Sequence, residues 1–132
     1  MIQTFVDRFM ENKDDIRAEI AKAHIRSYDE LVRIVIENIT DDDDDDDDGH
    51  NPDPSRIHCI DDGDYQGTLV FIIAAKGYHP NRYWATKVYY GSCSACDTLQ
   101  RIAGYSDQPP TIEQIEDYMS LALHIVQGLV EI

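Results

Sequence analysis

The sequence predicts an α+β protein: a small antiparallel sheet of two to four strands, packed with helices from both termini. Three observations lead there. Apolar residues recur at helical spacing through the first forty residues and again over the last twenty. Between them lie two runs rich in Val, Ile, Phe and Tyr, joined by a Gly- and Pro-containing turn. The 132 residues are enough for one modest core, so residues 1–132 are expected to form a single domain. Its parts are a helical stretch (1–39), an acidic mobile loop (40–56), and a β-hairpin followed by two helices (57–132).

At the N-terminus, Ile2, Phe5, Val6 and Phe9 share one helical face, and Ile16, Ile20 and Ala23 form a second, weaker stripe. Glu11, Asn12 and Lys13 are either a break or a solvated turn of one helix. Ser27 and Glu30 have capping-box spacing ahead of Leu31, Val32, Ile34, Val35 and Ile39, predicting a helix over 28–37. The stretch TDDDDDDDDGHNPDPS then halts regular structure. Adjacent like charges repel, and Pro52 and Pro54 lack N–H donors, so residues 40–56 read as a solvated loop. Asp44, Asp46, Asp48 and Gly49 fit the opening of an EF-hand loop. Its twelfth position would be Ser55 rather than a bidentate Glu, and the loop reading is preferred.

Residues 57–60 form a short strand, 66–74 a central apolar strand, and 83–90 its hairpin partner after AKGYHPN. A helix follows through Leu99, Ile102 and Ala103, stopping at Gly104. A last helix opens with the capping box of Thr111 and Gln114 and buries Ile112, Ile115, Tyr118, Met119, Leu123, Val126 and Val130.

Charge and cysteines bound the function. Formal net charge is −15; removing the eight aspartates of 41–48 leaves −7. Such a surface repels phosphate backbones and suits a basic partner, including a protein surface that normally holds nucleic acid. The charged stretch after Met1 lacks an apolar core, and the run 69–75 is too short to span a bilayer, so a cytoplasmic protein with no membrane contact is expected. Three cysteines without a secretory context argue against a disulfide framework.

A hairpin turn centred near residue 78 brings Tyr90 close to Gln66. Gly91, Ser92 and Cys93 then lie against Asp64 and Tyr65, and two polar segments meet at one end of the sheet. Asp64, Tyr65, Gln66, Ser92, Cys93, Ser94, Cys96 and Asp97 are therefore the candidate binding residues. These segments, GDYQGTLVFII and YYGSCSACDTLQ, resemble a group of small phage-encoded proteins of uncharacterised function. The shared motifs are G-D-Y-Q-G followed by Y-G-S-C-S-x-C-D, across roughly residues 60–102, and Gly67 is carried over with the eight residues above. The resemblance implies a viral origin and a shared site, and no particular reaction.

Cys93 and Cys96 admit three chemistries. A C-x-x-C at a helix start can be redox-active, although Asp97 would raise the Cys96 pKa and no parallel strand follows the helix. It can supply two zinc ligands, with Cys59 as a third; His58 would face away from Cys59 on a strand. Or the small residues of GSCSACD simply let the chain turn sharply, with Ser94 capping the helix. The last is preferred, so no cofactor is assigned and zinc is the alternative. His24 and His124 read as surface or core-edge residues on helices. Tyr83, Trp84 and Tyr89 either pack within the sheet or add an apolar part to a binding surface. The expectation is a binding protein without catalysis acting on a host protein, as an inhibitor or nucleic-acid mimic. The alternatives are a thiol-dependent redox enzyme using Cys93 and Cys96, and a zinc-stabilised adaptor.

Overall fold

The computed structural model describes residues 2–23, 25, 27–40, 51–61, 67–76, 82–90, 102 and 110–132. It shows the α+β architecture: a four-stranded antiparallel sheet with helices from both termini. In chain order the elements are α1 (Ile2–Glu11), α2 (Lys13–Lys22), α3 (Tyr28–Ile39), β1 (Pro52–Asp61), β2 (Gly67–Ala75), β3 (Tyr83–Tyr90), α4 (Ile112–Gln127) and β4 (Val130–Glu131). The sheet order is β1-β2-β3-β4, so β1 is an edge strand among the described residues. Among the described residues, no helix is long and apolar enough to cross a membrane.

The apolar stripes of α1 and α2 do what their spacing predicts. Phe5 and Phe9, then Ile16 and Ile20, are buried, and Ala23 packs at the margin. The polar stretch between them is a real break at Asn12, whose Nδ2 donates to the Asn38 carbonyl at 2.7 Å. Helix α3 is apolar around most of its circumference, burying Tyr28, Leu31, Val32, Ile34, Val35, Ile36 and Ile39. It packs on α1, α2, α4 and β1 and is the centre of the core. Only the stripe Asp29, Arg33 and Glu37 stays outside. The expected Ser27 capping box is not formed: Ser27 is extended, as an N-cap should be, but its side chain makes no capping bond.

Thr111 and Gln114 do form a reciprocal capping box on α4, Thr111 Oγ1 accepting from Gln114 N at 3.2 Å. Tyr118, Met119, Leu121, Ala122, Ile125 and Val126 face the core. Two residues assigned to this buried face are not on it. Ile112, in the first turn, is 81% exposed, and the helix ends at Gln127 before Val130, which joins β4.

One face of the sheet carries Phe71, Ile73 and Ala75 of β2 beside Trp84, Thr86 and Val88 of β3, all buried. Phe5 meets Trp84 edge-on at 5.9 Å between ring centroids, and Thr86 Oγ1 donates to the Ile125 carbonyl at 3.0 Å. These contacts put α1 and α4 on that face. Strand β1 begins earlier than its sequence suggests. Residues 52–56, expected in the loop, belong to it, because a bulge between Pro52 and Ile57 accommodates Pro52 and Pro54 where no ladder N–H is required.

Candidate functional site

The hairpin register is one residue from the expected one: Gly67 pairs with Tyr90. The eight predicted binding residues, Asp64, Tyr65, Gln66, Ser92, Cys93, Ser94, Cys96 and Asp97, all lie outside the described residues, as do His24, His50 and His79. What the structure places is the pair of strand ends from which their segments leave. Of the three aromatics, Trp84 is buried, whereas Tyr83 and Tyr89 are exposed on the opposite face. His58 is exposed and Cys59 half-buried on opposite faces of β1, as strand alternation requires. His124 is exposed on α4.

A groove of about 520 Å³ opens elsewhere, between α3 and the edge strand β1. Asp29, Arg33 and Glu37 line one wall and Pro54, Ser55, Ile57 and Cys59 the other. Both walls have simple origins. Successive steps of four residues stack Asp29, Arg33 and Glu37 on one side of α3. Ile57 and Cys59 are the helix-side residues of β1, opposite Ile73 and Phe71. The two elements run antiparallel. Thr40 Oγ1 donates to the Pro52 carbonyl at 3.0 Å at one end, and the Cys59 thiol donates to the Asp29 carboxylate at the other.

Two contacts hold the Pro52 end of the groove. Arg8 Nη1 donates to the Ile39 carbonyl at 3.1 Å and to Asn51 Oδ1 at 2.8 Å, tying the end of α3 to the approach to β1. Within the bulge, Asp53 Oδ1 accepts from Ser55 N and Ser55 Oγ at 2.9 and 2.7 Å. Its Oδ2 meets Arg56 Nε at 3.3 Å. Neither Arg33 nor Glu37 has a hydrogen-bond or ion-pair partner among the described residues.

The groove's thiol is held protonated: burial, then the Asp29 and Asp61 carboxylates, push Cys59 above its ordinary value of 9.0. Among the described residues no three His, Cys, Asp or Glu side chains are grouped to hold a metal. What remains is a −, +, − series of charges along a helix beside a strand edge. The other side of the sheet differs sharply. Its exposed positions include His58, Ile60, Tyr83, Lys87, Tyr89 and Val130.

Comparison with protein-family models, with curated proteins and with solved structures returns no match.

Proposed function

We propose that this chain is a small acidic binding protein without catalysis, acting on a host protein as an inhibitor or nucleic-acid mimic. The observation that carries the reading is the groove between α3 and β1. It is large enough for several side chains, two of its charges, Arg33 and Glu37, have no partner among the described residues, and its thiol is kept protonated. The net charge of −15 favours a partner with a basic surface and speeds its encounter. The resemblance of the G-D-Y-Q-G and Y-G-S-C-S-x-C-D motifs to small phage-encoded proteins supports a viral origin and action inside the host cytoplasm. Asp64, Tyr65, Gln66, Ser92, Cys93, Ser94, Cys96 and Asp97 are proposed as a second contact region. Their segments leave the sheet beside each other, at Gly67 and Tyr90, and β1 runs into the first of them after Asp61.

The test is capture from a host lysate at rising salt, with the wild-type chain and Asp29→Lys/Glu37→Lys as bait. A specific basic partner that releases as salt rises, and that the double variant retains at least about tenfold less well, supports the reading. Absence of any specific partner refutes it. A partner held equally by both baits and at all salt concentrations refutes the groove as the site.

A further inference from the structure

Residues 69–75 of β2 are apolar without interruption, the pattern of a strand covered on both faces. The described helices cover one of them. Phe71, Ile73 and Ala75 are buried beneath α1 and α4, whereas Val70, Ile72 and Ala74 on the outer face are only half-buried. Of the seven large exposed hydrophobics among the described residues, four gather on that outer face: Ile60, Tyr83, Tyr89 and Val130. Tyr89 is 74% exposed. Such a concentration marks a contact surface rather than scattered exposure.

The relief of this face is regular. Its cross-strand pairs are Thr68 with Tyr89, Val70 with Lys87, Ile72 with Ala85 and Ala74 with Tyr83. In each pair a short side chain stands beside a longer one. Consider two such sheets packed face to face, about 10 Å apart, on a two-fold axis parallel to the strands and midway between β2 and β3. Strand β2 of one copy then lies over β3 of the other, and every side chain faces the second copy of its own cross-strand partner. Tyr83 meets Ala74, Ile72 meets Ala85, and Tyr89 meets Thr68, so each projection finds a recess. Lys87 faces Val70 and not a second Lys87. Strand β4 pairs only with Trp84 and Ala85, so the Lys87 ammonium reaches water past its end while the stem covers Val70.

Charge favours the same face. A net −15 opposes contact between two copies wherever carboxylates meet. Asp14, Asp15, Glu113, Glu116 and Asp117 are exposed on α2 and α4, in the helical layer on the far side of the sheet. With two sheets and two helical layers between them, these groups lie about 30 Å or more from those of the second copy, several screening lengths of about 8 Å. The outer face itself carries Lys87 and His58, which suit it poorly to the basic partner proposed for the groove.

We infer that the outer face of the sheet is the contact of a two-fold dimer, with β2 of each copy over β3 of the other and Tyr83 and Tyr89 seated on Ala74 and Thr68. The groove opens on the helix side of β1 and stays accessible in this dimer, so the inference stands apart from the reading of the chain as a binding protein.

Sedimentation velocity of the full chain over a dilution series should show a species of twice the chain mass that dissociates on dilution. Ala85→Ile overfills the contact with Ile72 of the second copy and Ile72→Ala leaves it empty, so each variant alone should dimerise at least about tenfold more weakly. Mixed in equal amounts, the two variants complement each other at both symmetry-related contacts. Native mass spectrometry, which separates the three dimers by mass, should then show the heterodimer at least about tenfold above either homodimer. Ala85→Arg should leave a monomer. All three variants change half-buried outer positions, and unchanged circular-dichroism spectra confirm that they fold. Rising salt should hold or tighten the dimer, because it screens repulsion between two acidic chains. A monomer at every concentration, a dimer indifferent to these substitutions, statistical mixing of the two variants, or dissociation as salt rises overturns the inference. Asp29→Lys/Glu37→Lys should dimerise like the wild type, so loss of partner capture and loss of dimerisation are told apart.

Discussion

Thr86 offers the sharpest test of how α4 is seated on the sheet. It is the one buried polar side chain on the inner face of β3, and its Oγ1 donates to the Ile125 carbonyl at 3.0 Å. That carbonyl also receives the Gly128 amide at 3.2 Å, so losing the hydroxyl does not strand it. A net hydrogen bond of this kind contributes about 1 kcal/mol. Thr86→Val keeps the volume and loses the bond, so a cost of about 1 kcal/mol is expected. Thr86→Ala also deletes a buried methyl, adding about 0.8 kcal/mol, for a total near ~2 kcal/mol. The site has no slack to absorb a shift, because a Cβ on Gly128 would sit only 3.2 Å from Thr86 Oγ1. Unfolding entropy of about 2.1 cal/mol/K per residue converts 1 kcal/mol into about 3–4 °C of Tm for a chain of this length. Thermal and urea denaturation should therefore rank wild type above Thr86→Val above Thr86→Ala, with Tm losses of about 4 and 7 °C. A valine variant as stable as wild type would refute the argument that this bond fixes α4 on the sheet.

Other consequences follow from single side chains. Thr111→Ala removes one half of the only capping box formed among the described residues, and should lower stability by about 1 kcal/mol, read by urea denaturation. A loss below about 0.3 kcal/mol would mean the N-terminus of α4 is held by other contacts. For Cys59, the folded-state pKa lies above the unfolded one, so the native chain holds its proton longer. The stability it contributes is complete below the ordinary value of 9.0 and is lost as pH rises through the folded pKa. Asp29→Asn removes one of the carboxylates responsible. The pH profile of Cys59 alkylation, followed by mass spectrometry of its peptide, should move to lower pH in that variant; an unmoved profile would contradict the thiol–carboxylate contact.

How much of this the sequence discloses depends on which force sets each element. Strand β3 is legible to the residue, because turn-forming Gly and Pro precede it and its alternation is clean. The α4 N-terminus is legible because its cap is local chemistry. Strand β1 is legible only in its last part. Pro52, Pro54 and the preceding aspartates speak for a loop, and only the position of the segment at a sheet edge, within a bulge, makes them acceptable in a strand. Strand β4 is disguised: Val130 lies four residues after Val126 and so continues the helical stripe, while Gly128 ends the helix between them. The exposed fate of Ile112 has the same source, since periodicity extended through a first turn that projects beyond the core. Trp84 is placed by alternation with Thr86 and Val88, which puts it on the buried face and leaves Tyr83 and Tyr89 on the other.

The groove itself left one trace in the sequence. Helix α3 is apolar on nearly all sides, yet carries exposed charges at 29, 33 and 37, a stripe four residues apart, besides the half-buried Glu30. Taken alone, such a stripe is a solvated face. It becomes a groove wall only because the neighbouring strand is β1 and because β1 is at the edge, and strand order is a tertiary fact. The motif pair G-D-Y-Q-G and Y-G-S-C-S-x-C-D, by contrast, is plain in the sequence, and the Gly67–Tyr90 pair places only the strand ends from which the two segments leave.

The most direct measurement is capture of a host partner across a salt series by the full chain and by its Asp29→Lys/Glu37→Lys variant. The account predicts a specific basic partner that releases as salt rises and that the double variant retains at least about tenfold less well. No specific partner, or one held equally by both chains at every salt concentration, would contradict it.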